Sequence, residues 1–317
     1  MKYEPVDLSR VKTVPLASRR NLVATEQFAE VPVAGRSFAE WFEALPDLLA
    51  SHNLHALVDD VVAAHDGERA VILAMGAHVI KCGLSPIVID LMERKIVTAV
   101  ALNGAGMVHD VEVALIGATS EDVGEGLVDG TFGMATETGE LINEAALAAA
   151  GSGLGLGAAT GAKLLDANAP NTDLSILAAG VRLEIPVTVH VALGSDIVHM
   201  HPTADGASTG AATMTDFRLL AAVVADLSDG GVFINVGSAV VLPEVFLKAL
   251  TLARNLGSEI ERFTTANFDF IQHYRPAQNV VCRPTAGPGS RGYAITGHHE
   301  IMVPLFAQAV IERMRHL

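Results

Sequence analysis

The chain has 317 residues, half of them hydrophobic, enough to bury a large core in one big domain or two small ones. It carries 36 acidic against 21 basic residues, a net charge of −15 with no basic stripe, which argues against a nucleic-acid partner. A mean hydropathy of +0.38 would suit a membrane protein, but no apolar run reaches the roughly 20 residues of a span. Cys82 and Cys282 are too few for a disulfide scaffold, and the charged, proline-punctuated opening lacks an apolar signal. A cytoplasmic protein without a membrane or nucleic-acid partner is therefore expected.

In chain order, residues 1–35 read as an irregular arm, with prolines, Arg19–Arg20 and no periodicity. Helical spacing broken by Pro46 follows, and Trp41 reads as a packing residue. From Arg69 the pattern changes. AVILAM is a buried strand, GAHVIKCGLSPIVIDLMERK a turn and helix, TAVALN a second strand, and GAGMVHDVEVALIG another turn and helix. Short apolar strand, glycine turn and helix in alternation mark βαβ units and a parallel sheet.

Residues 134–185 are Ala- and Gly-rich and mostly helical. The alternation resumes with IPVTVHVAL, a helix near TDFRLLAAVVADL, then GVFINVG and a helix with Pro243 in its first turn and Gly257 as its cap. SEIERFTTANF and AQNVVCRP read as the last strands, and EIMVPLFAQAVIERMRHL as the closing helix. The fold class expected is α/β, a doubly wound, mainly parallel, Rossmann-like sheet, as one domain over 36–317.

Five of the twelve histidines fall in three short motifs, GAGMVHD with His109, GSDIVHMHP with His199 and His201, and TGHHE with His298 and His299. Strand ends in open α/β sheets are where distant segments converge on ligands. NGAGMVHD follows a strand and opens a helix, so Gly104 and Gly106 would let backbone approach an anion, and His109 would lie in the first helical turn, neutral enough to act as base. HMH has i, i+2 spacing, which on an extended segment aims both rings at one face, with Asp196 as third ligand or orienting carboxylate. His78 occupies the analogous turn after the first strand. His52, His55, His65 and His316 read as ordinary surface residues. GSGLGLGA imitates a dinucleotide fingerprint but follows an Ala-rich helical run instead of a strand, so it reads as a helix–helix connection.

Taken together, these segments resemble the deoxyhypusine synthase family. Its TTAGGVEED turn lines up with NGAGMVHD and its SNLISSG turn with AHVIKCG. Its GSLGDMIFFHS resembles LGSDIVHMHP, its GGGVVKHH resembles GSAVVLPE, its INTAQEFD resembles FTTANFD, and its ADASLVFPLL resembles TGHHEIMVPLF. The resemblance covers roughly residues 36–315 and implies an NAD-binding α/β fold, a homotetramer and active sites at subunit interfaces. The family's transferase uses a lysine in a WGK motif, and this chain has no lysine after Lys248. KHH becomes Leu242-Pro243-Glu244, and the family's Asn, Glu and Asp positions become His78, His109 and His298. Deoxyhypusine synthesis itself is therefore not expected, and Lys81 is named only as a replacement nucleophile.

Two chemistries remain open at this stage, beside a third possibility of a family member without activity. In one, NAD assists imine-forming or transferase chemistry on a small amine. The resemblance places the cofactor at His78, Gly104, Ala105, Gly106, Thr265, Ala266, Asp269, Gly297 and His298. His109 and His299 would be catalytic there, with Asp196 holding the amine. In the other, His109, His199, His201 and His298 hold Zn²⁺ or another divalent metal for hydrolysis.

Overall fold

The computed structural model describes residues 2–315; His316 lies outside them. Six strands form one sheet: β1 (Val71–Met75), β2 (Ala99–Asn103), β3 (Val187–His190), β4 (Val232–Val236), β5 (Thr264–Asp269) and β6 (Arg291–Thr296). All pairings are parallel and the order is β3-β2-β1-β4-β5-β6. Ile72 sits opposite Ala99 on one side of β1 and opposite Phe233 on the other. This is the doubly wound order, which reverses between β1 and β4.

The alternation along the strands builds two cores. Val71, Leu73 and Met75 face one layer, and Ile72 and Ala74 the other. Both faces are covered, which is why the strands read as continuous apolar runs. On the first face lie α1 (Phe38–Glu43), α2 (Leu49–Asp66), α3 (His78–Lys81), α4 (Ser85–Glu93), α5 (Gly104–Ile116), α7 (Thr136–Ser152), α8 (Leu156–Asp166), α9 (Ile176–Leu183) and α13 (His299–Arg315). On the second lie α10 (Gly206–Ala225) and α11 (Val241–Asn255), where the Phe233 and Phe246 rings stack at 3.7 Å. The short α6 (Val123–Asp129) follows α5, and α12 (Tyr274–Pro276) leads into a π-helical turn.

Ahead of α1 the chain makes only three 3₁₀ turns, at Leu8–Arg10, Leu16–Ser18 and Thr25–Gln27, and leaves Tyr3, Val6, Leu8 and Val11 exposed. No single helix among the described residues is long and apolar enough to cross a membrane. α7 and α8 would reach that length together, but they bend by 118° at their junction.

Three expectations from sequence are corrected. AQNVVCRP is not a strand: Ala277–Cys282 is the π-helical turn, with the Val280 carbonyl accepting from the Thr265 hydroxyl at 2.7 Å. HMH is not extended, because Ile197–Met200 is a 3₁₀ turn and its rings diverge. His109 is the sixth residue of α5, one turn beyond the helix end, so the dipole argument for its neutrality falls away.

Candidate functional site

Because every strand is parallel, the segments after β1 to β6 emerge on one rim, and the 104–110 and 297–300 segments share it. Two clusters form there. One sits in the crevice between β1 and β4. A β-carbon on Gly76 would meet the Gly237 carbonyl at 2.5 Å, and one on Gly237, at φ +67°, would meet the His299 ring at 2.7 Å. Only glycine lets these three approach.

His299 is 2% exposed, with Nε2 3.3 Å from the Phe268 carbonyl. Donation from Nε2 leaves Nδ1 a bare acceptor, and it has no partner. The His78 ring stands edge-on to it, centroids 5.6 Å apart. Asn235 donates to the Ser238 carbonyl and to Asn267 Oδ1, at 3.0 and 2.7 Å, and its own Oδ1 is buried without a partner. Both atoms are buried acceptors, His299 on the α13 side of the sheet and Asn235, between Ile234 and Val236, on the α11 side.

The second cluster lies where β2 and β3 end, in a cavity of about 240 Å³ walled by Lys81, His109, Glu112, Glu121 and Asp196. Asn103 caps α5, its Oδ1 accepting from the Gly106 amide at 2.9 Å. Asp196 lies over the first residue of that helix, for a β-carbon on Gly104 would fall 2.0 Å from its Oδ2. Burial pushes the Asp196 carboxyl above its usual range, against the pull of His199, and Oδ2 has no partner. His199 Nδ1 faces the Gly194 and Asp196 amides at 3.2 and 3.3 Å, which leaves its proton on Nε2.

His109 is oriented by a chain of hydrogen bonds. Its Nδ1 is 2.6 Å from Thr119 Oγ1, and that hydroxyl in turn donates to Glu112. Burial alone would raise Glu112, but the hydrogen bonds from His109 and Thr119 outweigh it and hold the carboxyl below its ordinary range. With Nδ1 as donor, His109 Nε2 is the lone pair left to take a proton.

Of the residues singled out from sequence, His109, Asp196, Gly104 and Ala105 come together around this cavity, and His78 and His299 around the crevice. The four-residue α3 joins them, carrying His78 at its start and Lys81 at its end. Gly106 is buried against Leu102. Thr265 and Ala266 are fully buried inside β5, which removes them from the rim, whereas Asp269 reaches its end and accepts from the Phe270 amide at 2.8 Å. Gly297 packs on Met302, and His298 stacks in the open on Phe270.

The proposed metal set does not assemble. His201 turns away to the Gly133 carbonyl at 2.8 Å, His298 stands apart on Phe270, and His109 Nδ1 and His199 Nδ1 are engaged as above. Among the described residues, no three His, Cys, Asp or Glu groups converge to hold an ion. Sequence reading missed Glu112, Glu121 and Thr119. The first had a legible signal, its i, i+3 spacing from His109 on one helix, while the other two arrive on the loop after α5. GSGLGLGA does join two helices, α7 and α8.

No family model matches the sequence. No curated protein matches it either. Solved structures do. A protein classed as a deoxyhypusine synthase, from Entamoeba histolytica, is 12% identical over 88% of this chain and 94% of its own, with a TM-score of 0.54. AgrE, solved in complex with ornithine and NAD⁺, is 12% identical over 85% of this chain and 35% of its own, at 0.52. A conserved protein classed as LOR/SDH, from Methanococcus maripaludis, is 16% identical over 85% and 71%, at 0.50. What these proteins share with the chain is a fold. This chain spans about a third of AgrE and nearly all of the Entamoeba protein. The architecture is therefore a deoxyhypusine-synthase-like α/β fold.

Proposed function

We propose that the chain is an NAD-linked enzyme acting on a small amine, and not a deoxyhypusine synthase. The observation that carries this reading is the cavity in which Asp196 Oδ2 is buried and unpartnered beside the oriented imidazole of His109. An unpaired buried carboxylate oxygen favours a cationic donor, and ammonium supplies one. The neighbouring AgrE was solved with ornithine and NAD⁺, which is consistent with this class.

The rim residues fit a dinucleotide, with one change from the assignment by resemblance. His299 Nδ1 is an acceptor suited to a ribose hydroxyl, and the His78 ring stands beside it. A diphosphate does not suit the Gly104–Gly106 turn, where the Asp196 carboxylate would oppose it. The uncharged or cationic nicotinamide end then belongs beside Gly104 and Ala105, next to the amine cavity. Asp269, Gly297 and His298 remain at the outer end of the crevice.

NAD, when bound, would accept a hydride from the carbon bearing the amine. For that carbon to release it, the nitrogen must first shed a proton and free its lone pair. His109 Nε2 takes the proton, while Glu112, through Thr119, stabilises the imidazolium that results. Asp196 holds the nitrogen as ammonium before the transfer and as iminium after it. His299 fixes the crevice floor through the Phe268 carbonyl.

The test is calorimetric titration with NAD and NADH, followed by NADH absorbance across a panel of amines. Binding in the micromolar range is expected, and no binding at millimolar cofactor ends the reading. A homotetramer, and a division into an arm over 1–35 and a body over 36–317, belong to the same proposal. Light scattering of the full chain, with and without the arm, measures both.

A further inference from the structure

The amine cavity contains one residue that a site for a plain amine does not need. Lys81, an exposed side chain, lines the same cavity as Asp196. Lys163 and Lys248 are paired with Glu144 and Glu244, but Lys81 forms no ion pair among the described residues. In a chain of net charge −15, Lys81 is the one lysine or arginine among the residues lining this cavity. Against a purely cationic ligand it would be repulsive.

The acidic groups of the wall are not equivalent. Glu112 is engaged by His109 and Thr119, and Glu121 Oε1 accepts from the Gly133 amide at 2.9 Å. Asp196 Oδ2 is buried without a partner. Of the wall's carboxylates, Asp196 alone has a buried oxygen without a partner, and Lys81 is the wall's unpaired cation. We infer that the substrate is an amine that also bears a carboxylate, an amino acid, whose ammonium meets Asp196 and whose carboxylate meets Lys81. The inference rests on the amine reading above and names its substrate class.

Size agrees with this pairing. The cavity of about 240 Å³ holds a molecule of amino-acid size. A second cavity of about 550 Å³ shares Glu112, Ser120 and Glu121 with it and is lined further by Leu115, Ile116 and Glu137. Its lining mixes Leu115, Ile116, Ala118 and Ala135 with the Glu137 carboxylate, which suits a side chain with an aliphatic stem and a cationic tip.

The experiment compares ligands that differ only by the carboxylate: L-ornithine with putrescine, L-lysine with cadaverine, and L-arginine with agmatine. Each is titrated calorimetrically into the full chain in the presence of NAD. At least one amino acid is expected to bind about tenfold or more tighter than its decarboxylated partner, the worth of one charge-assisted contact. Lys81→Met should abolish that preference while leaving the amine's affinity unchanged or improved, and Lys81→Arg should keep it. Thermal melting of the variants shows that they fold. Equal or tighter binding of the decarboxylated partners overturns the inference and leaves the amine reading standing. If no member of any pair binds to the NAD-loaded protein, the amine reading falls as well.

Discussion

Replacing Asp216 with asparagine should change how stability depends on pH. Asp216 is 1% exposed on α10, and its Oδ2 accepts from the Gly157 and Val189 amides at 2.9 and 2.8 Å. Its Oδ1 has no partner. Burial pushes the carboxyl up from 3.8 to about 7, against the lowering effect of those amides. The folded chain therefore keeps a proton through the interval in which the unfolded chain has lost it. More protons bound to the folded state means that stability falls as pH rises from about 4 to about 7. At about 1.4 kcal/mol per pKa unit, the whole interval is worth roughly 4 kcal/mol. Asparagine removes the titration and retains an acceptor for both amides. Urea unfolding of the two proteins at about pH 4 and about pH 8 isolates this group, because every other titration is common to both. The wild type should lose about 4 kcal/mol relative to the variant across that range. Parallel pH profiles, or a variant that loses ground as pH rises, would refute the reasoning. Either result would mean that the amides at the start of α8 already keep the carboxylate ionised.

Asp110 is a purely structural counterpart. It accepts from the Ser175 hydroxyl and the Ile176 and Leu177 amides, at 2.5, 2.8 and 3.1 Å, and holds the start of α9 against α5. Asp110→Ala strands three buried donors and should cost about 4 kcal/mol, read as a lower midpoint in the same unfolding assay; a loss below about 1 kcal/mol contradicts it. Thr119→Val interrupts the link between His109 and Glu112 without emptying the cavity. It should lower kcat about tenfold with KM nearly unchanged, since it alters the handling of a proton and not the grip on the ligand. A rise in KM with kcat intact would place Thr119 among the binding groups instead.

The parallel sheet was legible because both its faces are buried. AVILAM, TAVALN, VTVHVAL and GVFINVG each lack the alternation of a half-exposed strand and are followed by a glycine and a helix. Val280 and Val281 misled for a related reason. Paired β-branched residues look like a strand, yet here they pack a turn under β5. HMH misled because spacing specifies a face only once the backbone state is known, and a 3₁₀ turn separates what an extended chain aligns. Within the site, the groups that follow strands could be read from the chain. Lys81, Thr119 and Glu121 could not be placed, because the turn geometry and loop closure that bring them in leave no period in the sequence.

The bare floor between Gly76 and Gly237 has a consequence for how such a molecule acquires new chemistry. Two residues without side chains, in mutual contact and pinned beneath an imidazole, offer a visiting molecule little beyond peptide backbone. Discrimination must come from the surrounding loops, which are joined to the sheet only at their ends. On this plan, a change of ligand calls for edits to those loops and not to the sheet beneath them.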